Sequence, residues 1–244
     1  DMDKALELCQ KYDLILVEDA AHSIDSYYKG KPLGSFGDFA TFSFHETKNI
    51  NSGEGGLLVI NDSKNIKRAE IVWEKGTNRS EFSRGEVDKY EWVDVGGSYS
   101  PSEIIAAFLY AQLTHIKDIQ KTRKDIWERY YLNLFPLAEK GLIQIIKLPE
   151  FATNNGHLFY ILAKDKKQRD ELLDYLNNNM VHAVFHYLPL HSSPYYSTYH
   201  DGRMLPNTDK FADTLIRLPL FYELPLDIVD MICQKVEEFF TLKG

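Results

Sequence analysis

Four apolar residues, Leu14-Ile15-Leu16-Val17, stop at two acids, Glu18-Asp19. A run that short is no helix and cannot cross a bilayer. It suits a strand of a parallel sheet, which is apolar throughout because helices cover both of its faces. The flanking segments agree. Residues 2–11 carry an amphipathic helical pattern, and 39–44 and 56–60 read as further strands. Asp62 or Ser63 can then cap a helix over SKNIKRAEIVWEKG. Strands alternating with helices predict an α/β layer on a mostly parallel sheet.

The pattern continues with a change of scale. Ser100-Pro101-Ser102-Glu103 reads as a capping box with proline at the first helical position. Apolar residues from Ile104 to Ile116, then Trp127, Tyr130 and Leu134, predict one long helix reaching toward Gly141 and bridging two domains. Residues 77–99 read as a long surface loop. Beyond Gly141, residues 142–148, 157–163 and 181–187 read as strands, and 166–180, 207–216 and 225–240 as helices. The expected organisation is the end of a large α/β domain over 1–117 and a smaller α+β domain over 118–244.

Composition narrows the function classes. The 244 residues are 44% hydrophobic, enough for a sizeable core or two linked ones. A net charge of −8 argues against nonspecific nucleic-acid or membrane-surface binding. Cys9 and Cys233 form neither a metal spacing nor a disulfide framework, which suits a reducing cytosol. No signal peptide is expected. A helix begins immediately after Asp1 and leads into a buried-strand pattern. That reads as the interior of a domain, so a longer molecule is expected.

Chemistry concentrates near the strand ends, where ligands of open α/β sheets bind. Glu18 and Asp19 stand at the first such end; either is a plain cap or a carboxylate for a cationic ligand nitrogen. Lys48 follows the second strand and precedes a turn with Gly53, Gly55 and Gly56, where backbone can approach closely. A lysine held there can lose its proton and attack a carbonyl. Ser43 lies five residues before it, and His22 three after Asp19. An acid and a lysine in this order suit pyridoxal 5′-phosphate (PLP), whose sites need both.

The combined motifs resemble the DegT/DnrJ/EryC1/StrS sugar aminotransferases: Glu18-Asp19-Ala20-Ala21-His22-Ser23, Gly34-Ser35-Phe36-Gly37-Asp38, Phe42-Ser43-Phe44-His45-Glu46-Thr47-Lys48-Asn49 and Gly53-Glu54-Gly55-Gly56. The likeness runs on through Glu74 to Ser80, Val87 to Tyr90, Ala183 to His191 and Arg217 to Tyr222. It implies a PLP-dependent fold-type I (aspartate aminotransferase-like) enzyme and a homodimer with shared active sites. By position, Lys48 is implied to bind the cofactor covalently and Asp19 to hold its pyridine nitrogen. Ser43 is implied to hold its phosphate. His22 stands where most members carry glutamine. Ser98 stands where many carry an asparagine that reaches the partner subunit's phosphate. The stretch that precedes Glu-Asp-Ala-Ala in the family, with part of the sheet and a ring-stacking aromatic, is not in these residues. An N-terminal part is therefore expected to be missing.

Within the family the pattern is most like members that make dTDP-4-amino-4,6-dideoxygalactose. The resemblance thus implies transfer of an amino group, from L-glutamate, to the C4 keto group of a dTDP-linked 6-deoxyhexose, for surface-polysaccharide biosynthesis in the cytoplasm. Arg79, Lys89 and Tyr90 are candidates for the nucleotide sugar, and His186 and Tyr187 for the substrate rim. The alternatives are another nucleotide-keto-sugar aminotransferase of the family, or a truncated, non-enzymatic dimerising chain. Sugar dehydratases of this pattern carry histidine at the lysine position, which disfavours them. His182, His186 and His191 invite a metal, but no carboxylate or cysteine completes the set, so none is expected.

Overall fold

The computed structural model describes residues 1–243. They form two compact units. One comprises Asp1–Lys117 and Glu150–Asn155; the other comprises Asp118–Pro149 and the chain from Gly156 on. Glu150–Asn155 thus rejoins the first unit from within the sequence of the second.

The first unit opens with helix α1 (Met2–Tyr12), whose first turn is capped by the Asp1 carboxylate accepting from the Lys4 N–H at 3.2 Å. Strand β1 (Val17–Asp19) follows, then a short antiparallel ribbon of β2 (Tyr27–Tyr28) and β3 (Lys31–Pro32). Next come β4 (Phe39–Ser43), β5 (Gly56–Ile60), α2 (Ile66–Trp73), α3 (Arg79–Ser83) and α4 (Glu103–Thr114).

The main sheet has the order β1-β4-β5; β1 and β4 are parallel, β4 and β5 antiparallel. The expected mostly parallel sheet is therefore corrected to a mixed one. The reason is the link over 44–55, which contains no helix. A chain that turns back directly returns antiparallel, whereas a parallel return needs a crossover. The Leu14–Val17 strand is corrected too. Pairing starts only at Val17, and Leu14 and Ile15 are 56% and 73% exposed. Asp38 takes the Leu16 N–H with its carboxylate at 2.9 Å, so the regular ladder begins one residue later.

The second unit contains most of α5 (Ile116–Glu139), then β6 (Gln144–Ile145), β7 (Phe159–Leu162), α6 (Lys166–Asn178), α7 (Pro206–Thr214), β8 (Leu215–Leu218) and α8 (Leu226–Lys243). The sheet order is β6-β7-β8, antiparallel throughout. Alternation turns Phe159 and Ile161 of β7, with Ile216 and Leu218 of β8, into a core closed by Tyr130, Leu134, Leu172, Leu176, Val229 and Val236. The Tyr130 ring stacks on Phe159 at 5.0 Å, and its hydroxyl donates to the Pro219 carbonyl at 2.8 Å.

Five further expectations are corrected. The long helix breaks at His115, whose N–H bonds back to Gln112 at 3.0 Å instead of continuing the helical ladder. That helix starts at Glu103 with Ser102 as its cap, accepting from Ile105 N–H at 3.3 Å; Ser100 and Pro101 lie outside it. Residues 181–187 form no strand, only a bridge between Val184 and Arg217. The Ala183 N–H is spent on the Val181 carbonyl at 2.8 Å, a local turn that withdraws it from any ladder. Finally, 207–216 divides into the end of a helix and the start of β8, and the loop over 77–99 contains α3.

Candidate active site

The two acids at the end of β1 point to opposite faces, because strand side chains alternate. Glu18 is buried. Its carboxylate accepts three backbone N–H groups, from Gly34 at 2.7 Å, Phe36 at 2.6 Å and Gly37 at 2.8 Å. It organises the Gly34–Gly37 turn and is occupied by that work. Gly34 has φ +91°, and a Cβ on it would press into the Phe42 ring at 2.7 Å, so only glycine fits. Asp19 is exposed on the other face, with one oxygen accepting the Ala21 N–H at 3.1 Å.

Register places a hydroxyl beside Asp19. Asp19 lies opposite Thr41, and Ser43 is two residues further along β4, so Asp19, Thr41 and Ser43 share one face at the carboxyl ends of neighbouring strands. Ser43 Oγ accepts the His45 N–H at 3.3 Å and retains its own proton to donate.

Lys48 rides on the loop that leaves β4. Inside that loop Phe44 N–H reaches Gly55, Glu46 N–H reaches Gly53 and Ser52 N–H reaches Phe44, at 2.7–2.8 Å. Asn49 and Ile50, which follow the lysine, are buried, and the Gln112 side chain of α4 takes the Asn51 N–H at 3.1 Å. The loop is therefore held from within. Lys48 is half-buried and forms no side-chain hydrogen bond or ion pair among the described residues.

A residue that the sequence did not reveal ties these pieces together. Asn155 Nδ2 donates to the His22 carbonyl at 2.7 Å and the Ile24 carbonyl at 3.0 Å, while its own carbonyl accepts from Asn49 Nδ2 at 2.8 Å. It braces the loop after Asp19 against the loop that carries Lys48. His22 itself is exposed. No local pattern signals a brace that is 133 residues from its acceptor.

The other candidates form a separate group. Arg79 starts α3 and lies 3.6 Å from Glu74, and Glu74 bridges to Ser98. Asn78 clamps the segment with Lys89 and Tyr90, donating to Lys89 carbonyl at 3.0 Å and accepting Glu91 N–H at 2.7 Å. Lys89, Tyr90 and Ser98 are exposed, and the Tyr90 ring rests 6.3 Å from Phe82. Arg84, by contrast, is spent: it forks onto Glu70 at 2.9 Å and Glu86 at 2.7 Å. His186 and Tyr187 belong to the second unit. Tyr187 is exposed, and burial, then the nearby Arg217 charge, hold the His186 imidazole below its ordinary pKa. Among the described residues no helix is long and apolar enough to cross a membrane.

Residues 1–237 match the DegT/DnrJ/EryC1/StrS aminotransferase family. The chain is 31% identical over its whole length to a GDP-perosamine synthase from Escherichia coli O157:H7, and spans 63% of that protein. Among solved structures it superposes on DesV of S. venezuelae in complex with a ketimine intermediate, with TM-score 0.84 and 28% identity. That match covers 98% of this chain and 61% of DesV. The aminotransferase TlmJ from Streptoalloteichus hindustanus gives TM-score 0.84 at 25% identity, over 98% of this chain and 62% of TlmJ. The mixed α/β architecture is that of fold-type I aminotransferases, and the chain belongs to the DegT/DnrJ/EryC1/StrS aminotransferase family.

Proposed function

We propose that this chain carries the lysine side of a PLP-dependent sugar aminotransferase site. One observation carries the reading: Asp19 and Ser43 share a face at adjacent strand ends, and the internally braced loop leaving that edge presents Lys48. The donor set suits the cofactor's three distinct groups. The Asp19 carboxylate would hold the ring nitrogen, Ser43 Oγ–H would donate to the phosphate, and the Lys48 amine would bond the carbonyl carbon. His22 would lie near the ring's phenolic oxygen, and Ser98 would serve a phosphate across a homodimer interface.

When bound, the cofactor supplies an electron sink for charge that develops on the substrate carbon. Lys48 Nζ, free as an amine once the cofactor had taken up a substrate, would move a proton between the substrate carbon and the cofactor's carbonyl-derived carbon, one way on the donor half and the reverse on the acceptor half, which is positioned acid–base work. Asp19 would keep the ring nitrogen protonated.

For substrates we propose L-glutamate as amino donor and a dTDP-linked 4-keto-6-deoxyhexose as acceptor, in surface-polysaccharide synthesis in the cytoplasm. Arg79, Lys89 and Tyr90 are proposed for the nucleotide sugar, and His186 and Tyr187 for the substrate rim. The likeness to a GDP-perosamine synthase supports a second reading, a GDP-linked acceptor with the same chemistry.

The test is spectroscopic. Adding PLP to the protein should produce a visible Schiff-base band; borohydride should reduce the imine, bleach the band and leave the cofactor bonded to Lys48, and Lys48→Ala should abolish both the band and the adduct. A band that persists in Lys48→Ala would sink the assignment. Parallel turnover with dTDP- and GDP-linked keto sugars separates the two acceptor readings.

A further inference from the structure

His45 commits its backbone and its ring to the short stretch between Ser43 and Lys48. Its N–H donates to Ser43 Oγ at 3.3 Å, and its carbonyl accepts the Lys48 N–H at 2.9 Å. Its ring Nδ1 accepts the Thr47 N–H at 3.2 Å and lies 2.9 Å from the Thr47 hydroxyl. Both amides that lead into Lys48 are therefore held by one residue, one through its carbonyl and one through its side chain. The ring nitrogen acts here as an asparagine side chain does in an Asx turn, by capturing the N–H two residues on.

The bond to Thr47 fixes the tautomer. A ring nitrogen that accepts an N–H carries no proton, so the neutral imidazole keeps its proton on Nε2. Nε2 lies 3.7 Å from Glu54 Oε1, in the glycine turn that follows Lys48. Glu46 and Lys48, the titratable neighbours of His45 on its own loop, form no ion pair with the ring among the described residues. The ring is 41% exposed, so solvent can deliver a second proton. That proton must go to Nδ1, where it removes the lone pair that holds the Thr47 N–H. Nδ1–H can then donate to the Thr47 hydroxyl, but the backbone N–H loses its acceptor. The charged ring is also drawn to the Glu54 carboxylate. Neutral and charged His45 thus hold different partners: the Thr47 N–H in one state, Glu54 in the other.

We propose that His45 is a positioning residue for Lys48: its neutral imidazole holds the turn that presents the lysine, and its protonation releases that turn. The backbone at Thr47 and Lys48 sets the direction in which the lysine side chain leaves the loop. Once the ring lets go, the Thr47 N–H turns to water and that direction is no longer fixed. Lys48 then meets a carbonyl in attacking position less often. Acid slows imine formation by protonating any lysine; the His45 effect adds to this and is separable, because asparagine can hold the same turn without titrating. The cofactor's part in this proposal rests on the PLP reading above; the turn and its release do not.

The experiment reads the turn first without cofactor, at about pH 8 and about pH 5.5, either side of the range in which histidine titrates. Ring nitrogen shifts of His45 by NMR should show the proton on Nε2 at the higher pH. Thr47 amide protection, corrected for the intrinsic exchange rate at each pH, should fall about fivefold at the lower pH, the size of one neutral hydrogen bond. His45→Ala should lack that protection at both. His45→Asn, whose side-chain oxygen replaces Nδ1 as acceptor, should keep it at both. Near-ultraviolet circular dichroism confirms that each variant keeps the native fold. PLP is then added, and the affinity read from the Schiff-base band is expressed as the ratio of the unaltered chain to His45→Asn. That ratio should drop about fivefold between the two pH values. A neutral ring with its proton on Nδ1 overturns the proposal, as does Thr47 protection that is unchanged by pH or by His45→Ala. A ratio that does not move with pH, while Thr47 protection does, overturns the positioning of Lys48. Thr47 results as expected with no Schiff-base band in any chain remove the PLP reading and leave the histidine-held turn.

Discussion

The two units of this chain are held by different forces. In the second, apolar side chains from three helices and a sheet close over one another, and several of the largest, Tyr130, Phe159 and Leu172 among them, are fully buried. In the first, only Ala20, Tyr28, Ala40, Phe44 and Ile50 are buried apolar residues among those described. Its order comes instead from polar side chains that capture backbone: Glu18 on the Gly34–Gly37 turn, Asn155 on the His22 loop, and Asn61 Nδ2 on the Gly34 and Gly37 carbonyls at 3.0 and 2.8 Å. Hydrophobic burial is non-directional and yields stability; hydrogen bonds are directional and yield position. Among the described residues, the unit with the candidate site relies more on the second means.

The largest effect is expected in the second unit. Phe159→Ala leaves a cavity against Tyr130 and Trp127 and should cost about 3–5 kcal/mol. The two cysteines report the units separately. Burial pushes the Cys233 thiol up to about 12, so at pH 8 it is neutral as well as covered, while Cys9 in α1 is partly exposed. A thiol reagent should therefore label Cys9 in the native chain and Cys233 only after the second unit opens, with Phe159→Ala accelerating the second event. Equal labelling rates for both thiols would break the contrast between the units.

Glu18→Ala comes next. It deprives three backbone N–H groups of their acceptor and should cost about 3 kcal/mol, within the range for bonds to a charged group. Hydrogen exchange should show Gly34, Phe36 and Gly37 amides protected in the unaltered chain and fast in the variant. Cys233 labelling should not change, because the loss lies in the other unit. If Cys233 became reactive, the units would not be independently held.

Legibility followed the same division. Asp19, Ser43 and Lys48 stood out as candidates because their spacing is local and their types are chemically specific. What spacing could not separate was Glu18 from Asp19. Both are acids at a strand end, and only the register against β4 shows one facing the turn and the other the open face. Residues 181–187 misled because β-branched and aromatic content suits a strand; a single N–H spent on Val181 decides otherwise. The start of β8 hid inside a helical pattern because Leu215 and Ile216 fit either period. The sheet direction was misread because strand–helix alternation does not reveal that 44–55 turns back directly. Asn155 was invisible, since a side chain that reaches carbonyls across 133 residues leaves no local trace.

Asn155→Ala gives the smallest and most local effect, and the sharpest test of position against stability. It removes two donors from the His22 and Ile24 carbonyls, groups that carry further capacity, and should cost about 1–2 kcal/mol. Exchange should quicken about tenfold at the Ser23 and Ser26 amides, whose bonds to Ala20 and Ser23 lie in the braced loop. The Glu18-bound amides at Gly34, Phe36 and Gly37 should stay protected. If all of these amides accelerated together, Asn155 would be holding the unit as a whole. Acceleration confined to Ser23 and Ser26 would mean that it holds one loop in register with another. In that case PLP affinity should fall by more than the stability change accounts for, because the loop after Asp19 would lose its fixed place while the sheet beneath it stayed intact.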